Sequence, residues 1–162
     1  MSKRDSQQVM KDGYSIFLGD MSKLGYIPEG VLNWIALMGW GVPDNDVLTL
    51  DDMINRFDIK NLTPSPAAIN FSKLDHFNGT HIRKLSNDDL SARIKPYYIN
   101  SGLSVDDELL LKVTPLLRER LVTLDDCLPF GGWFFQSNVS PKAEDLIGKN
   151  LTPKRSSQIA RQ

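Results

Sequence analysis

The chain has 162 residues, of which 41% are hydrophobic and 24% charged, and its formal net charge is −1. This composition is typical of a globular protein with one core or two small helical units. The net charge excludes a surface that is basic all over, so any surface that binds nucleic acid must be local. The single cysteine, Cys127, excludes a framework of intramolecular disulfides and agrees with a reducing compartment.

The N-terminal stretch from Met1 to Gly13 is polar and is predicted to form a loop. The short apolar run from Tyr14 to Leu18 fits either a strand or a helix, and a helical turn is expected over Met21 to Leu24. Neither a signal-peptide pattern nor an apolar run long enough to cross a bilayer is present, so we expect a cytoplasmic protein without membrane contact.

The stretch from Tyr26 to Trp40 carries the strongest helix signal. Pro28 suits the first helical position, Gly39 suits the end, and Asn33 is the only polar residue from Val31 to Met38. A helix that is apolar nearly all round is expected to be buried on most sides. We therefore predict a core helix that buries Trp34, Ile35 and Leu37.

The middle of the chain is predicted to contain two more helices. Thr49 and Asp52 fit a capping box, followed by an apolar face of Leu50, Met53, Ile54 and Phe57. Pro64 and Pro66 favour an extended segment, with a short strand at Ala67 to Asn70. Asn78-Gly79 could form a hairpin turn, but apolar residues keep helical spacing from Leu74 to Leu85, which favours a helix that tolerates Gly79.

The second half of the chain consists of consecutive helix-start signals. Ser86 with Asp89 predicts a helix to about Tyr98, and Ser104 with Asp107 predicts one to about Val113. A further helix is expected to start at Pro115, with an apolar face of Leu116, Leu117, Leu121 and Leu124, and to break at Pro129 and Gly131-Gly132. Two more helix starts are expected, at Ser140-Pro141 and at Thr152-Pro153. The predicted fold is mainly α with at most a small two-stranded element, divided near Ser86 into residues 1–86 and 87–162.

Common catalytic and metal motifs are absent: the sequence has no HExxH, CxxC, Walker loop or GxSxG. His76 and His81 are five residues apart and do not form a metal pair on one helix face, so no metal site is predicted. Cys127 is expected to be a buried, inert thiol. The paired aspartates each stand at a predicted helix start, where capping explains them better than catalysis does.

The first residues nevertheless suggest a phosphate-binding loop. A serine, a lysine and an arginine on a loop can bind phosphate oxygens and neutralise charge as a phosphoanhydride breaks. The alternative is an initiator methionine followed by a solvated tail. The residues in question are Met1, Ser2, Lys3 and Arg4.

Several segments in fixed order extend this suggestion. They are Met1–Arg4, Gly25–Trp34, Met38–Trp40, Ser65–Asp75 and Phe77–Arg83. Together they closely resemble glutamyl-tRNA synthetases, which are class I aminoacyl-tRNA synthetases, downstream of their catalytic Rossmann domain. Met1–Arg4 resembles the end of the KMSKR signature, and Arg118–Leu121 resembles the first helical part of the family's anticodon-binding region.

The resemblance implies a stem-contact fold up to about Ser86 and the start of a helical anticodon-binding region after it. Lys3 is then the catalytic residue that contacts the ATP phosphates, in a reaction that uses ATP with Mg, L-glutamate and tRNA(Glu). The HIGH-type signature and the glutamate pocket have no counterpart here. We therefore expect the chain to be part of a glutamate–tRNA ligase, inactive by itself, binding no cofactor tightly, and monomeric.

Two groups of cations are the candidate tRNA contacts. Arg83, Lys84 and Arg93 lie near the predicted boundary, where phosphate contacts would be expected. Arg118 and Arg120 follow from the resemblance. The first alternative function is a non-catalytic tRNA-binding or synthetase-docking module derived from the same family, and the second is a helical protein-interaction domain with coincidental similarity.

Overall fold

The structure is a computed structural model that describes residues 10–11, 14–15, 17–40, 47–63, 70–139, 147 and 152–159. Two short antiparallel strands pair Met10 with Ser15, namely β1 (Met10–Lys11) and β2 (Tyr14–Ser15). The first helices are α1 (Leu18–Lys23), α2 (Pro28–Ala36), α3 (Leu50–Arg56) and α4 (Phe71–Lys84), with a 3₁₀ turn at Ile59–Asn61. The later ones are α5 (Asn87–Asn100), α6 (Asp107–Arg118), α7 (Cys127–Gly131) and α8 (Pro153–Ile159), with 3₁₀ turns at Leu124–Asp126 and Gly132–Phe135.

The prediction of a mainly α fold with a small two-stranded element is confirmed. The ambiguous run that starts at Tyr14 is divided between β2 and α1. None of the helices among the described residues is both long and apolar enough to cross a membrane.

Most helix starts follow the predicted local signals. The Ser86 hydroxyl accepts a hydrogen bond from the N–H of Asp89 at 3.1 Å, and Thr49 and Asp52 form the predicted capping box of α3. The start of α6 differs, because the carboxylate of Asp106 accepts the N–H of Leu109, rather than Ser104 capping the helix. These caps supply partners for N–H groups that the first helical turn leaves unpaired.

Two predicted helix boundaries at proline are wrong. Helix α6 runs through Pro115, and α7 contains Pro129. Pro115 lies on the exposed side of α6, where the carbonyl that loses its partner can turn to water. Pro129 is in the first turn of α7, where a missing N–H costs little. Gly79 lies inside α4, so the helix rather than the hairpin is confirmed.

The first part of the core forms where α2 packs against α4. Trp34 is 4% exposed, as predicted. It packs in a cluster of buried residues from α1, α2, α4 and the segment before α2: Met21, Tyr26, Val31, Leu74 and Phe77. The expectation that Ile35 is buried is wrong, because its side chain is 43% exposed. Leu32 is also exposed, whereas the polar Asn33 is fully buried. A third buried cluster of Trp40, Leu48 and Met53 packs against Ala36 and Leu37 near the end of α2.

The second part of the core forms between α5, α6 and α7. Its buried residues include Leu90, Ile94, Tyr98, Leu110, Val113, Leu117 and Leu121. The hydroxyl of Tyr98 donates to the carbonyl of Cys127 at 2.9 Å. The Cys127 thiol is fully buried, and burial raises its pKa to about 12, which agrees with the expected inert thiol. Leu116, expected on the apolar face, is 63% exposed.

Some predicted elements fall outside the described residues. These are most of the strand at Ala67 to Asn70, the helix start at Ser140-Pro141 and the loop Met1 to Arg4. The last described helix, α8, begins at Pro153 as predicted.

Candidate nucleic-acid interface

The carboxamide of Asn78 joins three separate segments of the chain. Its Oδ1 accepts the N–H of Ile27 at 2.9 Å, and its Nδ2 donates to the carbonyl of Val122 at 2.6 Å. Asn78 is fully buried in α4, Ile27 directly precedes α2, and Val122 follows α6. We call these two hydrogen bonds the carboxamide bridge, and they fix the chain that follows α6 against α4 and the start of α2.

Two glycines allow the backbones to approach closely at this bridge. A Cβ on Gly30 would lie 2.5 Å from Asn78 Oδ1 and 2.7 Å from its Cα, so α2 and α4 touch without an intervening side chain. Gly25 has a φ of +80° and its carbonyl accepts the N–H of Leu124 at 2.8 Å. Because L residues rarely adopt this φ, glycine suits the position.

A second buried amide organises the segment before α3. Asn33 Oδ1 accepts the N–H of Leu48 at 2.9 Å and lies 3.0 Å from His81 Nε2. Because this oxygen can only accept, His81 must carry a hydrogen on Nε2. Burial, followed by the nearby charge of Lys84, lowers the pKa of His81. The arrangement ties α2, α4 and Leu48 together and favours a neutral imidazole.

Arg93 braces the start of α2 against α5. Its guanidinium donates to both carboxylate oxygens of Glu29, at 3.0 and 2.8 Å, and its Nε donates to Asp89 at 2.7 Å. These hydrogen bonds raise the pKa of Arg93, and the bond from Arg93 lowers that of Glu29. The guanidinium is thus engaged within the chain, although contact between Arg93 and tRNA stays a prediction.

The other four predicted cations come from two regions that are distant in sequence. Arg118, the last residue of α6, donates through Nη2 to the side-chain oxygen of Asn87, the first residue of α5. Asn87 follows Lys84, at the end of α4, by three positions. The end of α6 therefore lies against the connection from α4 to α5.

Arg83 reaches the same region from α4. Its Nη2 donates to Thr80 Oγ1 at 3.1 Å. A Cβ on Gly79 would lie 3.2 Å from Arg83 Nη1 and 3.4 Å from the carbonyl of Leu121, so the guanidinium lies beside the chain that follows α6. Arg120, which directly precedes Leu121, is exposed.

We call Arg83, Lys84, Arg118 and Arg120 the cationic junction. Within the described residues none of the four has a carboxylate within 4.0 Å, in contrast to Arg93 and Lys95, which form ion pairs. Arg83 lies beside the chain that follows α6, close to Arg118 and Arg120, whereas Lys84 Nζ donates to the carbonyl of Val47, before α3, at 3.5 Å. The described residues gather no set of three His, Cys, Asp or Glu side chains that could hold a metal ion.

Comparison with known proteins gives a consistent result. No protein-family model matches the chain. The chain is 34% identical over 160 residues to the glutamate–tRNA ligase of Mycolicibacterium smegmatis, a match that covers 94% of this chain and 30% of that protein. It is 32% identical over 171 residues to that of an Arthrobacter species, covering 99% of this chain and 32% of the relative.

Solved structures show the same similarity in fold. The glutamate–tRNA synthetase of Elizabethkingia anophelis superimposes with a TM-score of 0.70 at 25% identity, covering 91% of this chain and 32% of that one. A glutamate tRNA ligase of Elizabethkingia meningosepticum, solved with its amino acid, gives a TM-score of 0.72 at 25% identity, covering 93% and 32%. The chain spans about a third of the length of the relatives it matches.

Proposed function

We propose that this chain forms the tRNA-contacting third of a glutamate–tRNA ligase. The proposal is supported by a similarity to these enzymes that covers nearly the whole chain in sequence and in fold. The resemblance to this family that the sequence indicates is thereby confirmed. The whole reaction, the ATP-dependent attachment of glutamate to tRNA, is proposed here as that of the complete enzyme.

The observation that carries this proposal is the cationic junction. Four cations without carboxylate partners among the described residues lie at or just after the ends of α4 and α6, on a protein whose net charge is −1. A tRNA presents closely spaced phosphates, and Lys and Arg side chains bind them without reading sequence. Because the junction cations come from the ends of α4 and α6, a tRNA bound there would contact both helices.

The N-terminal loop is proposed to act on ATP in the complete enzyme. Lys3 would stabilise charge on the ATP phosphates during glutamate activation, supported by Met1, Ser2 and Arg4. Magnesium would arrive with the ATP. Activation also requires glutamate and ATP to be held in line, and such positioning is worth about 7–11 kcal/mol of barrier. The chain by itself should therefore show no pyrophosphate exchange above a Lys3→Ala control, and turnover above that control would contradict the proposal.

Binding of tRNA to the chain tests the proposal directly. If the four junction cations neutralise four phosphates, the affinity should fall about 50- to 150-fold between roughly 50 and 200 mM monovalent salt. The measurement is fluorescence anisotropy of labelled tRNA(Glu) titrated with the chain. Affinity that does not change with salt would contradict the proposal.

A pair of variants locates the contact. Arg120→Ala removes an exposed junction cation, and Lys112→Ala removes an exposed cation from α6 itself, about two turns before the junction. We expect Arg120→Ala to weaken binding at low salt and to flatten the salt dependence, and Lys112→Ala to change neither. Equal losses in the two variants would place the RNA elsewhere.

A further inference from the structure

The chain that follows α6 is tied to the first helices at two points. The carbonyl of Val122 accepts a hydrogen bond from Asn78 Nδ2 at 2.6 Å. The N–H of Leu124 donates to the carbonyl of Gly25, which precedes α2, at 2.8 Å. We call residues 121–124 the joint segment. Because the side chain of Leu124 is buried among the later helices, this segment contacts both parts of the core.

Two cations of the junction lie at this joint segment. Arg120 directly precedes it, and Arg83 lies on α4, five positions after Asn78. A Cβ on Gly79, the residue after Asn78, would lie 3.2 Å from Arg83 Nη1 and 3.4 Å from the carbonyl of Leu121. The guanidinium of Arg83 and the backbone next to Arg120 are therefore close to the same point on α4.

The Asn78 amide sets the register between the joint segment and α4. Its side chain is fully buried, and its Oδ1 also accepts the N–H of Ile27, so the amide is held from both ends. Apolar packing at the joint, to which Ile27 and Ile82 contribute, is non-directional and tolerates small shifts. Hydrogen bonds weaken steeply when donor and acceptor are misaligned. The directional bonds of Asn78 therefore decide where the joint segment lies along α4.

This register matters for the binding of phosphates. The phosphates of a folded RNA have fixed spacings, so cations on two helices engage them together only when the protein holds a matching spacing. Once one phosphate is bound, the next contact is intramolecular, and a preorganised pair of cations makes it without further ordering. If the spacing drifts, the RNA binds the cations of one helix at a time.

We propose that Asn78 is a positioning residue for tRNA, which holds the joint segment against α4 and thereby sets the spacing between Arg83 and Arg120. The inference rests on the proposed function. Asn78 is fully buried and acts through these two cations, without touching RNA itself. A tRNA should engage the cations of both helices at once in the unmodified chain, and those of one helix at a time in a chain that lacks the amide.

The salt dependence of binding tests the proposal, because it reports how many phosphates are bound together. Asn78→Ala removes the amide, and Gly25→Ala disturbs the second tie, since its Cβ would lie 2.8 Å from the backbone nitrogen of Asp125. Thr114→Val is the matched control for lost stability. It removes a fully buried hydroxyl that lies 2.7 Å from Ser91 Oγ, between α5 and α6.

The measurement is fluorescence anisotropy of labelled tRNA(Glu), with each affinity corrected for the folded fraction that circular dichroism gives. Between roughly 50 and 200 mM salt, the affinity of the unmodified chain and of Thr114→Val should fall about 50- to 150-fold, as for four phosphates. The affinity of Asn78→Ala and of Gly25→Ala should fall only about 7- to 12-fold, as for two phosphates.

A fall in Asn78→Ala and Gly25→Ala as large as in the unmodified chain would overturn the proposal and leave the proposed function standing. Salt-independent binding by the unmodified chain, or no binding, would overturn both. A fall in Thr114→Val as small as in Asn78→Ala would also overturn the proposal, because any destabilised chain would then lose the contacts. If Asn78→Ala does not fold, Gly25→Ala decides the outcome against the same control.

Discussion

The carboxamide bridge should be a major single contributor to stability. Replacing Asn78 with alanine leaves the N–H of Ile27 without a partner at a site that is 1% exposed, which costs about 1–3 kcal/mol. The carbonyl of Val122 loses a hydrogen bond as well, but Val122 is 39% exposed, so water can partly replace the amide at a cost of about 0.5–1.5 kcal/mol. The higher helix propensity of alanine offsets up to about 0.7 kcal/mol of this loss.

The expected net loss for Asn78→Ala is therefore about 1–4 kcal/mol in the free energy of unfolding. Asn55→Ala is the matched control, because Asn55 is a helical asparagine on the exposed side of α3. It should be neutral or slightly stabilising. The assay is urea unfolding of the 162-residue chain, followed by circular dichroism and by the fluorescence of its three tryptophans.

A third variant distinguishes the bridge from simple loss of volume. Asn78→Asp keeps an acceptor for the N–H of Ile27 but places an oxygen where the amide nitrogen donates to Val122. The paired acceptors and the buried charge should cost more than the alanine does near neutral pH. A loss below 1 kcal/mol in both variants, or losses equal to that of Asn55→Ala, would refute the reasoning.

Two further predictions concern the same helices. Gly30→Ala should destabilise the chain by about 1–3 kcal/mol, because its Cβ would overlap the carboxamide bridge, whereas Gly39→Ala, with nothing within 4 Å of its Cβ, should be nearly neutral. Stability should also fall as the pH drops below about 6.5, since the lowered pKa of His81 means that the unfolded chain binds more protons there. The free energy of unfolding, measured in urea at about pH 7.5 and 5.5, should depend less on pH in His81→Gln than in the unmodified chain. His76→Gln should show the same pH dependence as the unmodified chain. If the free energy falls by the same amount in all three proteins, His81 is not the cause.

Local signals predicted the helix starts well because their physics is local. The caps at Thr49 and Ser86 depend on hydrogen bonds that span three residues, so sequence alone is enough to find them. The helix boundary predicted at Pro115 was wrong because continuation of the helix there is not decided locally. Whether a helix continues through proline depends on where the freed carbonyl points, and only the packing of α6 decides that.

Burial within α2 could not be assigned correctly from its composition. Asn33 is the one polar residue of an apolar run, and it is the fully buried one, because its partners Leu48 and His81 come from outside the helix. Ile35, by contrast, lies on the exposed side of α2. Hydropathy gives no information on which partners the fold will bring to a side chain.

The candidate site shows the same limit. Arg93 was grouped with the tRNA contacts because it is a cation near the predicted boundary, yet one of its carboxylate partners, Glu29, lies 64 positions away. The contact between Arg118 and Asn87 spans 31 positions and depends on how α5 crosses α6. Sequence predicts which residue types suit phosphate binding, and the tertiary structure decides which of them remain available.

The carboxamide bridge also has a consequence for the order of folding. Its two hydrogen bonds span 51 and 44 positions, whereas each helix closes bonds over four. Long loops are closed late, after local helices and each helical core have formed, so we expect the bridge to be absent from the folding transition state. Its strength would then set how slowly the native chain opens, with little influence on how fast it folds, and resistance to proteolysis at the joint would depend on one buried amide.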